Sequence, residues 1–281
     1  MVYRELNMTE QRKAVVLITG ASSGIGQACA VHLAEQGYRV YGTSRRELQT
    51  PLQNTFSMIP MDVTDDLSVQ RGVDLVFDRE RRIDVVVNNA GIAIAGAAEN
   101  TSMNEVREQM DVNFLGPVRV CRAVMPIMRR QRSGHIINIG SIGGLIGIPY
   151  QAMYSASKFA LEGFTESLRL EVRPFGIWVV MIEPGDHKTP LTFNRRRTVA
   201  SEKDQVYGTS FEAAIQHMAR DEQSGPGPEG ISCLIHRIIR TANPRLRYTI
   251  GPISQRAAVF TKRVFPYSVI ECGMRAYYRL P

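Results

Sequence analysis

The segment A-V-V-L-I-T-G-A-S-S-G-I-G, Ala14 to Gly26, constrains the fold more than any other stretch of the chain. Its first half is a continuous apolar run, which reads as a strand buried on both faces of a parallel sheet. Its second half sets Gly20, Gly24 and Gly26 in the turn that opens a helix over Gly24 to Gln36, ended by Gly37. Glycines there let the backbone approach a pyrophosphate, and a helix N-terminus adds N–H donors and positive dipole. The spacing differs from the G-x-G-x-x-G dinucleotide fingerprint, and such a turn can be merely tight, so the flanking strand and helix carry the reading.

The same alternation continues along the chain. Further strands are predicted over Tyr38–Thr43, Ser57–Asp62, Ile83–Asn88, Gly134–Gly140 and Ile177–Ile182, with a last short one over Leu246–Ile250. Helices are predicted from about Asp65, with Thr64 as N-cap, over Asn104–Arg130 and over Met153–Arg173. Pro117 and Pro126 predict a bend or an early end in the second of these. Strands alternating with helices of this length mean an α/β fold, a Rossmann-type doubly wound parallel sheet flanked by helices. Beyond Pro184, Gly185–Val206 is polar and Arg-rich and reads as a mobile loop; helices follow over Phe211–Arg220 and Pro228–Thr241. The 281 residues thus suit one domain: a core over about 14–190, then a substrate loop and C-terminal extension.

Composition narrows the function classes. Net charge is +7, carried mostly by arginine, and no basic helix or RNA-binding motif gathers it, so nucleic acid is not the expected partner. Cys29, Cys121, Cys233 and Cys272 show neither metal-ligand nor disulfide spacing, which suits a reducing cytosol and implies no metal. Met1 to Lys13 has no apolar signal-like core, and no run of 18 apolar residues exists, so no spanning segment is expected.

Chemistry concentrates between Ser141 and Lys158. Tyr154 and Lys158 lie one turn apart on a single helix face. A phenol titrates near pH 10, and a neighbouring ammonium favours its anion, so the pair can exchange a proton with a carbinol oxygen. Ten tyrosines and five lysines in 281 residues give such a pair by chance in about one chain in five. Alone, the pair decides nothing.

The motifs together do. T-G-x-x-x-G-x-G from Thr19, N-N-A-G over Asn88–Gly91, Ser141, Tyr154-x-x-x-Lys158 and Pro184-Gly185 resemble the short-chain dehydrogenase/reductase family, in its order and spacing, over about Val15 to Pro190. The resemblance implies Tyr154 as general acid/base, Ser141 as the group that orients the carbonyl, and Lys158 as the partner of the phenol and the nicotinamide ribose. Asn113, in D-V-N, matches the fourth catalytic residue, its amide helping to hold a relay water. The cofactor contacts implied are Gly20, Ser22, Ser23, Gly24, Ile25 and Gly26 in the turn and Asp62 and Val63 at the adenine. Asn88 and Ala90 are implied beside the adenosine ribose and as stabilisers of the central sheet, with Asn89 and Gly91 as further cofactor contacts, and Pro184, Gly185 and Thr189 near the nicotinamide carboxamide and pyrophosphate. Tyr154 and Lys158 reach the cofactor too, while Asp186 and His187 read as loop.

After the second strand the chain reads G-T-S-R-R, with no acid before Glu47. A carboxylate there would take the ribose 2′-hydroxyl of NAD; Ser44, Arg45 and Arg46 can instead hold a 2′-phosphate, which favours NADP(H). The expected reaction interconverts a ketone and a secondary alcohol. Weaker features resemble the steroid, retinol and sphingoid-base branch, which implies a bulky apolar substrate; a 3-ketoacyl or broad carbonyl reductase, or a nucleotide-sensing protein on the same fold, are the alternatives. Leu145, Ile146, Ile148 and Tyr150 are expected to wall the pocket, and Leu191, Phe193 and Val199 to close over it. The family resemblance implies a homodimer or homotetramer. The apolar, aromatic and basic tail from Ser254 to Leu280 either packs on the core or a second subunit, or rests on an anionic membrane surface.

Overall fold

The computed structural model describes residues 13–45 and 55–280. Along the chain run β1 (Val15–Ile18), α1 (Gly24–Glu35), β2 (Arg39–Ser44), β3 (Ser57–Pro60), α2 (Asp66–Glu80), β4 (Val85–Asn88) and β5 (Ile94–Ala95). Then come α3 (Met103–Met110), α4 (Gly116–Gln131), β6 (Gly134–Ile139), α5 (Ala152–Val172), β7 (Ile177–Pro184), α6 (Leu191–Asn194) and β8 (Arg196–Arg197). The last part holds α7 (Gly208–Ser224), α8 (Glu229–Ile239), β9 (Arg247–Ile250), α9 (Ile253–Val264) and α10 (Tyr267–Tyr278).

Among the described residues, seven strands form one sheet in the order β3-β2-β1-β4-β6-β7-β9. Every ladder is parallel, with registers such as Val16↔Val40, Leu17↔Val86 and Ile137↔Val180. Successive strand residues face opposite layers. Val15, Leu17 and Val86 pack with Val73 of α2, Val124 of α4 and Leu168 of α5. Val16, Ile18 and Val85 pack with Leu33 of α1 and Ile235 of α8. Both layers are closed, which is why the strands read as unbroken apolar runs. Each fully buried Val, Leu or Ile contributes about 1.5–3 kcal/mol. A smaller cluster joins Phe211, Ile215 and Met218 of α7 to Tyr278 of α10.

The structure corrects one local expectation and gives another its form. Asp65, not Thr64, caps α2: its carboxylate accepts from the N–H groups of Leu67 at 2.8 Å and Ser68 at 3.2 Å. Thr64 instead donates its hydroxyl to Asp62 at 2.7 Å. The helix expected over Asn104–Arg130 is interrupted before either proline, by a π-helical turn over Asp111–Leu115. Pro117 then falls in the first turn of α4, directly after the π-helical turn, while Pro126 lies inside α4 and does not end it.

Gly185–Val206 is also more ordered than its composition suggests. Here β8 pairs in parallel with β5, Ile94 opposite Arg196. Arg195, Arg196 and Arg197 form ion pairs with Glu222, Glu108 and Glu212, so the arginine run is consumed in tertiary contacts. No helix among the described residues is long and apolar enough to cross a membrane.

Candidate active site

The site forms where the sheet order reverses, at the C-terminal ends of β1 and β4, the place where open α/β sheets leave a crevice. Thr19 ties the two ends together. Its hydroxyl accepts from the N–H of Asn89 at 2.9 Å and of Ala90 at 3.0 Å, and the Asn89 amide donates to the Thr19 and Gly20 carbonyls. Gly20 adopts φ +65°, and a Cβ on it would lie 2.9 Å from Ala90 Cα. A Cβ on Gly26 would lie 2.3 Å from the Gly20 carbonyl oxygen. The first glycine opens a cradle; the second lets α1 pack against the turn, and it does not line the cavity.

A cavity of about 1200 Å³ extends from this turn across the ends of the strands. It exceeds the usual span of single-ligand pockets, about 300–1,000 Å³, so it has room for two reactants. One end is lined by Gly20, Ser22, Ser23, Gly24, Ile25, Ser44, Arg45, Asp62, Val63, Asn89, Ala90 and Gly91. Ser141, Tyr154, Lys158, Pro184, Gly185 and Thr189 line its middle. Arg46 lies outside the described residues. Asn88 does not reach the cavity: it is buried in the sheet, donating to Asn138 Oδ1 at 2.8 Å.

Asn113 sits behind the cavity in the π-helical turn. Its Oδ1 accepts from Ile92 N at 2.9 Å, while its Nδ2 donates to Ile92 O at 3.0 Å and Ser157 Oγ at 3.2 Å. The side-chain amide thus ties the π-helical turn to the Ile92 backbone and to Ser157 of α5.

Ser141 stands two residues beyond β6 in an extended conformation, and its hydroxyl accepts from Gly143 N at 3.0 Å and hydrogen-bonds the Tyr154 phenol. Lys158 Nζ lies 5.9 Å from the Tyr154 ring centroid and donates to the Ile139 carbonyl at 2.8 Å. Burial pushes the Tyr154 phenol up, against the bond from Ser141. Burial likewise lowers Lys158 to about 8, opposed by the carboxylate of Glu162 one turn further along α5. Glu162 belongs to a buried network. Burial pushes it up to about 7, against its hydrogen bond from Arg247 Nε at 2.8 Å. Glu183, fully buried on β7, lies 3.4 Å from the same Nε and accepts from Thr249 Oγ1 at 2.7 Å.

The far end of the cavity escaped the sequence reading. Asp186 and His187, read as loop, line it with Arg195, Met218, Glu222, Gln255, Met274 and Tyr278. Asp186 is pushed up to about 6 by burial, and Gln255 opposes this by hydrogen bonding both its carboxylate and its N–H. These residues come from five separate elements, and no spacing marks them in the sequence. Of the expected walls, Ile146 and Ile148 line the cavity, whereas Leu145 and Tyr150 do not. Tyr150 packs edge-on to Phe211 and donates to Ser210 Oγ at 2.7 Å. Of the expected lid, Leu191 lines the cavity; Phe193 and Val199 stand in solvent.

Comparison with known proteins agrees with this layout. The short chain dehydrogenase family model matches residues 14–200. The chain is 42% identical to the 3-ketodihydrosphingosine reductase of Bacteroides thetaiotaomicron, over 95% of this chain and 98% of that one. It is 35% identical to human 17-beta-hydroxysteroid dehydrogenase type 1, covering 84% of this chain and 77% of the relative. A crystal structure of a short-chain dehydrogenase from Streptomyces avermitilis superposes with a TM-score of 0.78 at 32% identity, over 95% and 98% of the two chains.

Proposed function

The chain belongs to the short-chain dehydrogenase family, an oxidoreductase acting between carbonyl and alcohol, and from that premise we propose that it reduces a bulky apolar ketone with NADPH. The observation that carries the reading is the shared wall: Ser141, Tyr154 and Lys158 face the same cavity as the glycine cradle. The cradle fits a dinucleotide, since a Cβ on Gly20 would close it against Ala90. Gly20, Ser22, Ser23, Gly24 and Ile25 would hold the pyrophosphate, Asp62 and Val63 the adenine, and Asn89, Ala90 and Gly91 the ribose. Arg45 and Ser44, at the end of β2, would take a 2′-phosphate. When bound, the nicotinamide supplies the hydride.

The protein supplies the rest. Ser141, held by Gly143 N, donates to the substrate carbonyl and stabilises the charge that develops there. Tyr154 gives its proton to the nascent alkoxide. A phenol whose pKa burial raises keeps that proton at neutral pH, which suits reduction. Lys158 then returns a proton to the phenolate. Ile146, Ile148, Met218 and Met274 offer the substrate apolar walls, in keeping with the sphingoid and steroid names of the relatives.

A ketone panel run with NADPH and with NADH tests this. Expected are long-chain or steroid-like ketones at least tenfold ahead of small ones in kcat/KM, and NADPH ahead of NADH. Tyr154→Phe is expected to lower kcat by about 10²–10⁴ while NADPH binding persists. A Phe variant with native kcat would refute the assignment.

A further inference from the structure

The two C-terminal helices have two working faces. The inner faces close the substrate end of the cavity with Gln255 and Thr261 from α9 and Ile270, Met274 and Tyr278 from α10. The outer side is apolar where the helices meet. Phe260 is 66% exposed, Val264 60%, Phe265 53% and Tyr267 68%, with Pro266 turning the chain between the last two. Four large apolar side chains in solvent at the tip where α9 meets α10 are not explained by the core, the cofactor or the pocket.

Charge identifies the occupant. Between Ile253 and Leu280 the chain carries Arg256, Lys262, Arg263, Arg275 and Arg279 against the single carboxylate of Glu271; Lys262 is turned to the Leu145 carbonyl and the Phe159 ring, so Arg256 and Arg263 are the cations beside the exposed apolar residues of α9. Arg256, Phe260, Arg263 and Val264 recur at helical spacing on the exposed side of α9, so the cations flank the apolar tip. Long basic side chains beside exposed aromatics can sink the rings into a headgroup layer and keep their own charge at its surface. A second copy docked two-fold on this tip would set like charges against like. An anionic bilayer complements them.

The cavity opens beside the same tip. Ala257, Ala258, Val269 and Gly273 line it and are themselves exposed, so they form its rim at this end. We propose that the α9–α10 tip seats the protein on an anionic lipid surface, with the substrate mouth against the membrane, where an apolar ketone is dissolved. The seating stands on the tip itself; only the delivery of substrate rests on the function proposed above.

Co-sedimentation of the full chain with phosphatidylcholine vesicles containing about one third phosphatidylglycerol tests the seating at low salt. Expected are binding to these vesicles, at least tenfold weaker binding to pure phosphatidylcholine, and release as salt rises. The triple variant Phe260→Ser, Phe265→Ser, Tyr267→Ser touches no cavity residue. It is expected to lose vesicle binding at least tenfold and to reduce a small water-soluble ketone at the native rate.

Phe265→Trp provides a reading independent of that variant's folding. Its emission is expected to shift to the blue, and to be quenched by brominated lipid, over the background of Trp178, the one native tryptophan. A native chain that does not sediment, equal binding to neutral vesicles, or an unshifted Trp would each overturn the proposal. So would a triple variant that sediments as the native chain does, or one that only lowers the oligomeric mass. Because binding is read without turnover, an inactive protein that still sediments would overturn the reaction and leave the seating intact.

Discussion

Tyr154, Lys158 and Glu162 occupy successive turns of α5, and each is buried. Arg247 and Glu166 face Glu162 from outside, and Glu183 faces it from β7. Above about pH 7 Glu162 is ionised, and its charge then supports the Lys158 ammonium, whose own loss falls near pH 8. Glu162→Gln removes that support, so the basic limb of the kcat/KM profile is expected to move to lower pH; an unmoved limb would show that Lys158 does not feel this carboxylate. At the other end of the cavity, Arg45→Ala is expected to raise the NADPH KM about tenfold to a hundredfold, the equivalent of roughly 1.5–3 kcal/mol for a charge-assisted contact, with kcat little changed. Native activity that is equal with NADH would remove the basis of that expectation. The motif residues were legible because the reaction fixes their type and spacing. Asp186, Glu222 and Gln255 were not, since only the folded chain brings them together.

At the scale of elements, the central strands were legible because both faces of the sheet are covered there and most of their residues are apolar. The helical stretch over Asn104–Arg130 was legible, but the form of its irregularity, a π-helical turn at Asp111–Leu115 just before Pro117, is a change in hydrogen-bond step that residue types do not specify. The start of α2 shows the same limit: Thr64 and Asp65 are both good caps, and only coordinates say which side chain turns toward the N–H groups. Asp65→Ala is therefore expected to destabilise the fold by about 0.5–2 kcal/mol in urea titration. A loss confined to Thr64→Ala would reverse the assignment. The arginine run at 195–197 misled in the opposite direction. Its charges predict a solvated loop, but Glu222, Glu108 and Glu212 lie on other elements and fix it in place.

For the molecule as a whole, Leu115 at the junction of α4 and Phe159 and Leu170 on α5 stand exposed on the two long helices, the faces on which a dimer or tetramer is expected. Light scattering is expected to give at least twice the 31.4 kDa chain mass, and Leu170→Glu to lower it; a native monomer would end that expectation. The sheet carries a different consequence, one of timing. Every recognised motif lies before residue 190, yet the edge strand β9 is made some sixty residues later, and with it Arg247. Until Arg247 arrives, Glu162 and Glu183 have no cation between them and repel one another behind Lys158. A growing chain thus holds its reactive groups long before it can settle their charges, and it becomes competent only when nearly finished.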